Sequence, residues 1–366
     1  NALLAIVSLA AVVSSSYTSA QALSQEPLLT KTVSVRPNLT FILDDSGSMV
    51  WECIYTKNTQ TSFGGIGYGA AYNCRNDTDE DFSDENVATL SSSDFRYTSP
   101  ENNKLMYDPR VYYPTGISET GSPYPNSTAS WDDIRNRTFS IGRTSYKARA
   151  IYLAKNASLL SSTSASTLNN AAQYNAYFIL DSGSRFAVRT SGSGNPTSTT
   201  TTNPLGTKSV ARTDCAGTVC THAEELKNLR NWYTYHRTRI QAARVGVTTA
   251  FSALPDSFRM NYGSLTDIIN AKANNNPIRA VNNYASNINP FRKWMQDTNP
   301  NNSIGTPLRQ ALDIVGQSYT LTSNSGPWGN TPWSPGSESS SSHVSCRRNF
   351  AILTTDGQWN NGGTTE

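Results

Sequence analysis

Two short apolar runs, far apart in the chain, each end in a polar turn that carries an aspartate. The first run covers residues 39–43 (LTFIL) and leads into Asp44; the second covers residues 350–353 (FAIL) and leads into Asp356. A short run that is apolar at nearly every position and bounded by turn residues is typical of a strand buried on both faces, as in a parallel sheet. We therefore predict that the two runs are neighbouring strands of one sheet.

Segments with helical periodicity lie between these runs. Residues 222–253 carry apolar side chains at three- and four-residue steps, which predicts one long amphipathic helix. Shorter helices are predicted over 291–295 and 306–319, and a strand is predicted over 258–262. Helices that alternate with buried strands indicate an α/β fold around a mostly parallel sheet.

The stretch 50–221 interrupts this alternation with a polar, aromatic and turn-rich sequence. Because loops beyond about 15 residues without structure of their own are uncommon, we interpret it as an inserted subdomain. Within it, residues 174–180 and 185–190 are predicted to form a hairpin. Residues 190–203 consist only of Thr, Ser, Gly, Asn and Pro, which favours a flexible loop.

The first 22 residues favour export from the cytoplasm. Residues 2–13 are apolar except for Ser8, and the small-residue motif Ala20-Gln21-Ala22 follows. This pattern is typical of the core and cleavage site of a secretory signal, and the run is shorter than the about 20 apolar residues of a membrane span. A buried N-terminal helix is the alternative. We predict a signal-peptide remnant over 1–22, a linker over 23–37 and a location outside the inner membrane.

The five cysteines fit an oxidising compartment, and none is spaced with a histidine as in a zinc site. Cys215 and Cys220 are predicted to close a small loop, and Cys53 with Cys74 is a plausible second pair. Cys346 is then left over, either as a buried thiol or with a partner beyond the end of the sequence.

The charge balance argues against a nucleic-acid partner. Lys and Arg number 30 against 27 Asp and Glu, a net charge of +3, and the chain has no basic run. A nucleic-acid-binding protein would need a concentrated basic face.

The most informative motif is Asp44-x-Ser46-x-Ser48, directly after the first apolar run. Its carboxylate and hydroxyl oxygens are hard ligands, which suit Mg²⁺, Mn²⁺ or Ca²⁺ and not Zn²⁺. Thr306, at the start of a predicted helix, and Asp356 add two more oxygen ligands. If both apolar strands are central, these turns meet at the carboxyl edge of the sheet, where open α/β sheets bind ligands.

These residues also have plainer interpretations, because Ser, Thr and Asp are favoured in helix caps and turns. The sequence of 181–184 (DSGS) resembles the motif but lacks its spacing, which predicts a hairpin turn. Asp77-x-Asp79-x-Asp81 lacks the glycine and glutamate of a calcium loop and is predicted to be a solvated acidic loop. His236 lies on the apolar face of the long predicted helix, as a core or interface histidine does.

The order of the candidate ligands resembles the metal-ion-dependent adhesion site of von Willebrand factor A domains. That order is Asp44-x-Ser46-x-Ser48, Thr306 and Thr355-Asp356-Gly357. Residues 231–239, 305–312 and 346–360 further resemble the PilC/PilY family of bacterial type IV pilus tip adhesins and biogenesis factors. Residues 103–114 are similar to the N-terminal signature of that family. The resemblance covers most of the chain outside about 115–219.

The resemblance implies a von Willebrand factor A-like (Rossmann-like) domain over 38–366. The domain would be discontinuous, with parts at 38–49 and 222–366, the insertion subdomain at 50–221, and a C-terminal end that falls before the fold is complete. Members of the family usually continue into a C-terminal β-propeller, which this sequence does not include. The resemblance also implies minor pilins at the pilus tip as partners.

Motif and resemblance together predict a secreted, non-enzymatic adhesion module at the bacterial cell surface. Ser46, Ser48 and Thr306 would bind Mg²⁺ directly, with Mn²⁺ or Ca²⁺ as alternatives, and Asp44 and Asp356 would bind it directly or through water. An acidic group of a host or surface ligand would complete the coordination.

Two other functions are weighed against adhesion. The first is a structural or assembly role, in which the module primes or caps the pilus and the ion only stabilises the fold. A metal-dependent hydrolase is more distant, because the motifs offer only hydroxyls and paired carboxylates beside the ion, without a separate base or nucleophile.

Overall fold

Two sheets and six helices lie in the part of the chain that a computed structural model describes, residues 35–53, 99–156, 159, 167, 170–192, 194–254, 258–273, 282–301, 305–321, 327–328, 344 and 346–357. The strands are β1 (Asn38–Leu43), β2 (Arg137–Ile141), β3 (Thr144–Ala154), β4 (Tyr174–Leu180), β5 (Phe186–Arg189), β6 (Arg259–Ser264), β7 (Asn282–Asn283) and β8 (Asn349–Thr354). The helices are α1 (Trp131–Ile134), α2 (His222–Tyr235), α3 (Arg239–Phe251), α4 (Leu265–Ala273), α5 (Tyr284–Asp297) and α6 (Leu308–Ser318).

The two apolar runs form adjacent parallel strands, as predicted, but only the first is buried on both faces: Phe350 and Ile352 of β8 are 45% and 43% exposed, because β8 ends the strand order of the described sheet. The sheet order is β7-β6-β1-β8, with β1 parallel to both β6 and β8 and β7 antiparallel to β6. Phe41 of β1 lies opposite Tyr262 on one side and Ile352 on the other. Every residue of β1 is buried, which explains why its sequence is apolar without alternation. The predicted α/β fold is thus confirmed.

Helices cover both faces of the sheet at β1. On one face, the ring of Phe41 meets Phe251 of α3 at 5.2 Å and Phe291 of α5 at 5.6 Å between centroids, both edge to face. On the other face, Ile42 belongs to a buried cluster with residues of α4 and α6, among them Ile268 and Leu308. Successive residues of a strand point to opposite faces, so β1 anchors both helical layers.

The predicted helix over 222–253 is two helices, and the single-helix prediction is wrong. Thr238 begins α3 with a capping box: its hydroxyl accepts from the Gln241 N–H at 3.3 Å, and the Gln241 side chain accepts from the Thr238 N–H at 3.0 Å. Buried Arg237 pairs with Glu52 at 3.0 Å and lies 4.0 Å from the ring centre of Tyr233. Apolar periodicity continues across the break and does not show it, whereas the local Thr238-x-x-Gln241 pattern marks the start of the second helix.

The other predicted elements are present with shifted bounds. The short helix expected at 291–295 is part of the longer helix α5, which contains Pro290. The strand expected at 258–262 is β6, and the helix expected at 306–319 is α6. The expected hairpin is β4 and β5, joined by a turn in which Gly183 and Ser184 have positive φ of 68° and 51°.

The stretch interpreted as an insertion contains the second sheet, antiparallel in the order β2-β3-β4-β5. Leu229 and Trp232 of α2 share a buried cluster with Ile151 and Tyr177 of this sheet. The Trp232 indole N–H donates to the Leu105 carbonyl at 2.7 Å. Helix α2 therefore packs on the antiparallel sheet, whereas α3 packs on the parallel one.

A buried ionic network joins three segments next to α2. Arg212 donates to Asp214 at 2.8 Å and forms an ion pair with Glu225 of α2, and each of the three side chains is at most 3% exposed. Arg212 also donates to the Pro109 carbonyl, and the Tyr107 hydroxyl donates to Glu225 at 3.3 Å. The network thus fixes the 107–109 segment and the start of the disulfide loop against α2.

The segment 190–203, predicted to be flexible, is held by hydrogen bonds in its described part. Thr200 and Phe186 exchange two backbone hydrogen bonds of 2.8 Å, and the Arg185 guanidinium donates to the Thr199 hydroxyl at 3.0 Å. Asn203 is buried and donates to the Cys220 carbonyl at 3.3 Å. The prediction counted apolar side chains, whereas the described part of this segment is held by backbone and side-chain hydrogen bonds.

The predicted Cys215–Cys220 disulfide is present, with the two Cα atoms 5.2 Å apart. Cys53 is also disulfide-bonded, and Cys74 lies outside the described residues. Cys346 is a free and exposed thiol, so the expectation of a buried thiol is wrong.

The signal-peptide remnant over 1–22, most of the linker over 23–37 and the acidic loop at 77–81 lie outside the described residues. Of the helices in the described ranges, none combines the length and apolar character that crossing a bilayer requires.

Candidate metal site

The site begins where β1 ends. Asp44 follows the last residue of β1 and is fully buried. Its N–H donates to the Thr354 carbonyl at 2.9 Å, which continues the pairing of β1 with β8 by one residue. Its Oδ1 accepts from the Ser46 N–H at 2.9 Å, in the manner of an Asx turn. The carboxylate is therefore held in place at the carboxyl edge of the parallel sheet.

The two serines of the motif lie next to each other beyond Asp44. Ser46 has extended backbone dihedrals and precedes a single helical turn, Gly47–Val50, that contains Ser48. This turn brings Ser46 Oγ and Ser48 Oγ to 3.2 Å. Two hydroxyl oxygens thus share one location next to the carboxylate, and Ser46 is buried while Ser48 is half-buried.

The end of β8 contributes to the same location. The Thr355 hydroxyl donates to Asp44 Oδ2 at 2.7 Å and accepts from the Gly357 N–H at 3.1 Å. Gly357 has a φ of 106°, a conformation that side chains with a Cβ rarely adopt. Thr355 therefore orients Asp44, a role that the sequence alone does not assign to it.

Asp356, the next residue, is paired with a cation. Its Oδ2 forms an ion pair with Arg239, the first residue of α3. The same guanidinium donates through Nε to the Cys53 carbonyl at 2.7 Å, and one terminal nitrogen lies 3.5 Å from the Ser48 carbonyl oxygen. Sequence reasoning missed Arg239, because 117 residues separate it from Asp356.

Thr306 precedes α6 in a turn in which Gly305 has a φ of 66°. Thr306 is 4% exposed. Leu308, two residues later, shares a buried cluster with Ile42, two residues before Asp44. The start of α6 therefore lies beside the carboxyl half of β1.

The structure brings most of the predicted site residues together. Direct hydrogen bonds join Asp44, Ser46 and Ser48 with Thr355, which was not a predicted ligand, and Arg239 contacts both Asp356 and Ser48. Thr306 lies in the buried turn that precedes α6.

Asp45 lies between the predicted ligands in sequence, but its side chain turns towards α4. Its Oδ1 accepts from the Thr266 N–H at 3.1 Å, and its carbonyl accepts from the Asn301 N–H. Burial raises the pKa of Asp45 above its ordinary value. Asp45 therefore accepts a hydrogen bond at the start of α4, and its carboxylate points away from the two serines of the motif.

The residues that the structure brings together fit a hard divalent ion in their chemistry. The hydrogen-bond donors to Asp44 are one N–H and one hydroxyl, and no cationic side chain of the described residues pairs with it. Neither here nor elsewhere in the described ranges is a group of three His, Cys, Asp or Glu side chains arranged to hold an ion. Coordination would therefore rely on hydroxyl oxygens, which Mg²⁺ accepts as it accepts water.

Asp181 and His236, which the sequence analysis weighed as functional residues, have structural roles. Asp181 lies in the turn after β4, where its Oδ1 accepts from the Lys147 N–H at 3.1 Å. His236 is half-buried, and its Nε2 lies 2.6 Å from the Pro114 carbonyl oxygen. Burial lowers the pKa of His236. These contacts agree with a hairpin turn and with an interface histidine, as predicted.

Comparisons with known proteins show what the chain is similar to. Type IV pilus biogenesis factor PilY1 of Pseudomonas aeruginosa strain PAO1 is 26% identical over 98% of this chain and 27% of its own length. The PilY1 of strain UCBPP-PA14 is 28% identical over 93% of this chain and 24% of its own length. The PilY1 of strain PAK is 32% identical over 38% of this chain and 12% of its own length.

The chain therefore spans about a quarter of the length of these curated relatives. No family model matches the sequence, and no solved structure matches it. The resemblance to the PilC/PilY family that the motifs predict is confirmed by these relatives.

Proposed function

Because this chain is similar to the PilY1 proteins over nearly its whole length, we propose that it is a module of type IV pilus biogenesis. The module would work outside the cytoplasm and adhere to surfaces through a divalent ion. The module would be non-enzymatic and von Willebrand factor A-like, with minor pilins and an anionic surface group as partners. Disulfide-bonded Cys53, Cys215 and Cys220 support an oxidising location.

The observation that carries the metal proposal is the arrangement at the carboxyl end of β1. Asp44 is buried and oriented from two sides, by the Ser46 N–H and by the Thr355 hydroxyl. The Ser46 and Ser48 hydroxyls touch one another beside it. A buried carboxylate among hydroxyls has little water to screen it, so its attraction for a cation is stronger than in bulk solvent.

Each residue has a defined task in this proposal. Ser46, Ser48 and Thr306 offer neutral oxygens to the ion, Asp44 supplies the negative charge, and Asp356 contributes directly or through water. Mg²⁺ is the expected ion, with Mn²⁺ and Ca²⁺ as alternatives. When bound, the ion would offer an open coordination position to an acidic group of the surface ligand.

The first test is ion binding by calorimetry on the wild-type protein, Asp44→Ala and Asp181→Ala. Asp181 is the matched control, because it lies in a turn of similar sequence but only holds the Lys147 N–H. Asp44→Ala should abolish binding of Mg²⁺ and Mn²⁺, and Asp181→Ala should leave it unchanged. Equal affinity in wild type and Asp44→Ala would exclude the site.

Assembly without adhesion is the second candidate function, because the relatives bear the name biogenesis factor. In that case the ion would only stabilise the fold. Cells that carry Asp44→Ala should be compared with wild type for pilus number and for attachment per pilus. Normal pilus number with reduced attachment supports adhesion, whereas fewer pili with unchanged attachment per pilus supports assembly.

A further inference from the structure

We propose that Arg239 is a built-in cation that sets the charge of the metal site. It pairs with Asp356 and offsets one of the two carboxylate charges that the ion meets. This inference rests on the proposed function, because it concerns the affinity of the same site for a divalent cation. Two observations support the inference: the ion pair between Arg239 and Asp356, and the contacts that fix Arg239 apart from Asp356.

Several contacts besides the one to Asp356 hold Arg239 in place. Its Nε donates to the Cys53 carbonyl at 2.7 Å, and its planar group lies 5.1 Å from the ring centre of Trp51. A terminal nitrogen lies 3.5 Å from the Ser48 carbonyl oxygen. The backbone N–H of Arg239 also donates to the Trp51 carbonyl at 3.1 Å. The guanidinium therefore cannot leave Asp356 without losing several other contacts.

The pair is shielded from solvent, so its charges act on the site. The side chains of Arg239 and Asp356 are 14% and 4% exposed. Arginine stays charged at every pH that proteins tolerate. Screening by water and salt is weak at such burial. The positive charge of Arg239 is consequently a permanent part of the site.

A charge count gives the consequence for binding. Asp44 and Asp356 contribute −2 and Arg239 contributes +1, a sum of −1. A divalent ion changes this sum to −1 + 2 = +1, which attracts an anionic ligand group. Without Arg239 the loaded site would be neutral, since −2 + 2 = 0. Arg239 thus weakens the hold on the ion and keeps the loaded site positive for an acidic ligand.

The test measures Mg²⁺ affinity by calorimetry on the full-length protein. Removing the positive charge with Arg239→Gln should tighten Mg²⁺ binding about tenfold, and Asp356→Asn should weaken it by a similar factor. Affinity in the double variant should return to within about threefold of wild type, since the two changes offset each other. Arg239→Lys keeps the charge and should stay close to wild type.

The outcome that overturns the inference is an Arg239→Gln protein that binds Mg²⁺ no tighter than wild type, while Asp44→Ala still abolishes binding. The proposed function would survive that result. Wild-type protein without saturable Mg²⁺ or Mn²⁺ binding would overturn both proposals.

Arg239→Gln alone leaves a buried carboxylate unpaired and can fail to fold, which circular dichroism would reveal. The comparison of Asp356→Asn with the double variant then decides. Arg239→Gln should improve Mg²⁺ affinity in the Asp356→Asn background if Arg239 acts through its charge. If Arg239 only supports the loops around it, adding Arg239→Gln lowers affinity further, and the inference fails.

Discussion

At the scale of single residues, the site depends on side chains that orient other side chains. Asp44 is buried, and its two oxygens are held by Ser46 from its own turn and by Thr355 from the neighbouring strand. Asp356 is held by Arg239. A buried carboxylate that loses a donor retains the cost of desolvation, so each of these contacts should be measurable in stability.

Thr355→Val should destabilise the protein by about 1–3 kcal/mol without added metal, because Asp44 Oδ2 then lacks its hydroxyl donor. Saturating Mg²⁺ should recover part of the loss, since a cation would compensate the unpaired oxygen. Urea denaturation with and without Mg²⁺ measures both effects. Thr354→Val is the matched control, because the Thr354 contact to Asp44 uses only its backbone carbonyl. Equal effects of the two substitutions would contradict this role of Thr355.

His236 should make stability depend on pH. Burial lowers its pKa below the ordinary value of 6.5, so the unfolded chain takes up a proton more readily than the folded protein. The stability that neutral His236 contributes is therefore complete above about pH 6.5 and is lost as the pH falls below it.

Melting midpoints between pH 8 and pH 5 should consequently fall less steeply in His236→Gln than in wild type. The difference at pH 8 measures the lost ring contacts with Tyr113 and the Pro114 carbonyl, without titration. Parallel curves across the whole range would show that His236 does not titrate on unfolding.

At the scale of elements, patterns local in sequence were predictable and contacts between distant segments were not. The apolar runs predicted β1 and β8, and the turn at Asp181–Ser184 predicted the hairpin of β4 and β5. The break between α2 and α3 carries a local signal, the Thr238-x-x-Gln241 capping box, but the contact of Arg237 with Glu52 beside it joins distant segments and was hidden. The pairing of Arg239 with Asp356, 117 residues away, was equally hidden. The motif therefore located the candidate site, but not the residues that orient it.

The break between α2 and α3 can be tested through its cap. Thr238→Ala removes the capping box with Gln241 and should cost about 1 kcal/mol of folding stability. Because Arg239 follows directly, the substitution should also alter Mg²⁺ affinity. Thr249→Ala, an exposed position of the same helix, is the control and should change stability by less than about 0.5 kcal/mol. A single continuous helix would make the two substitutions equivalent.

At the scale of the whole molecule, one buried network secures two segments outside the sheets to α2. Residues Pro37–Glu366 form one compact unit. Within it, Arg212 joins the 107–109 segment, the disulfide loop and α2 through Asp214 and Glu225. Both carboxylates depend on the same guanidinium, so this single residue has an effect on several segments.

Arg212→Met should cost about 3–5 kcal/mol of folding stability, because it leaves Asp214 and Glu225 buried without their cation. Lys293→Met, which breaks the exposed Lys293–Asp297 pair, should leave stability nearly unchanged. Denaturant titrations of the three proteins give the comparison. A small effect of Arg212→Met would show that the network is not closed in solution.

The excursion formed by the 50–221 stretch together with α2 begins and ends at one place. Trp51 and Cys53, near its beginning, are both hydrogen-bonded to Arg239, just after α2. A long excursion whose entry and exit are in contact places little strain on the sheet that carries it. Lengthening such an excursion raises the entropic cost of closing the loop only slowly. Evolution can therefore enlarge, shorten or rewrite this excursion while the sheet stays as it is. Related proteins would therefore differ most in this excursion and least at the carboxyl edge of the parallel sheet.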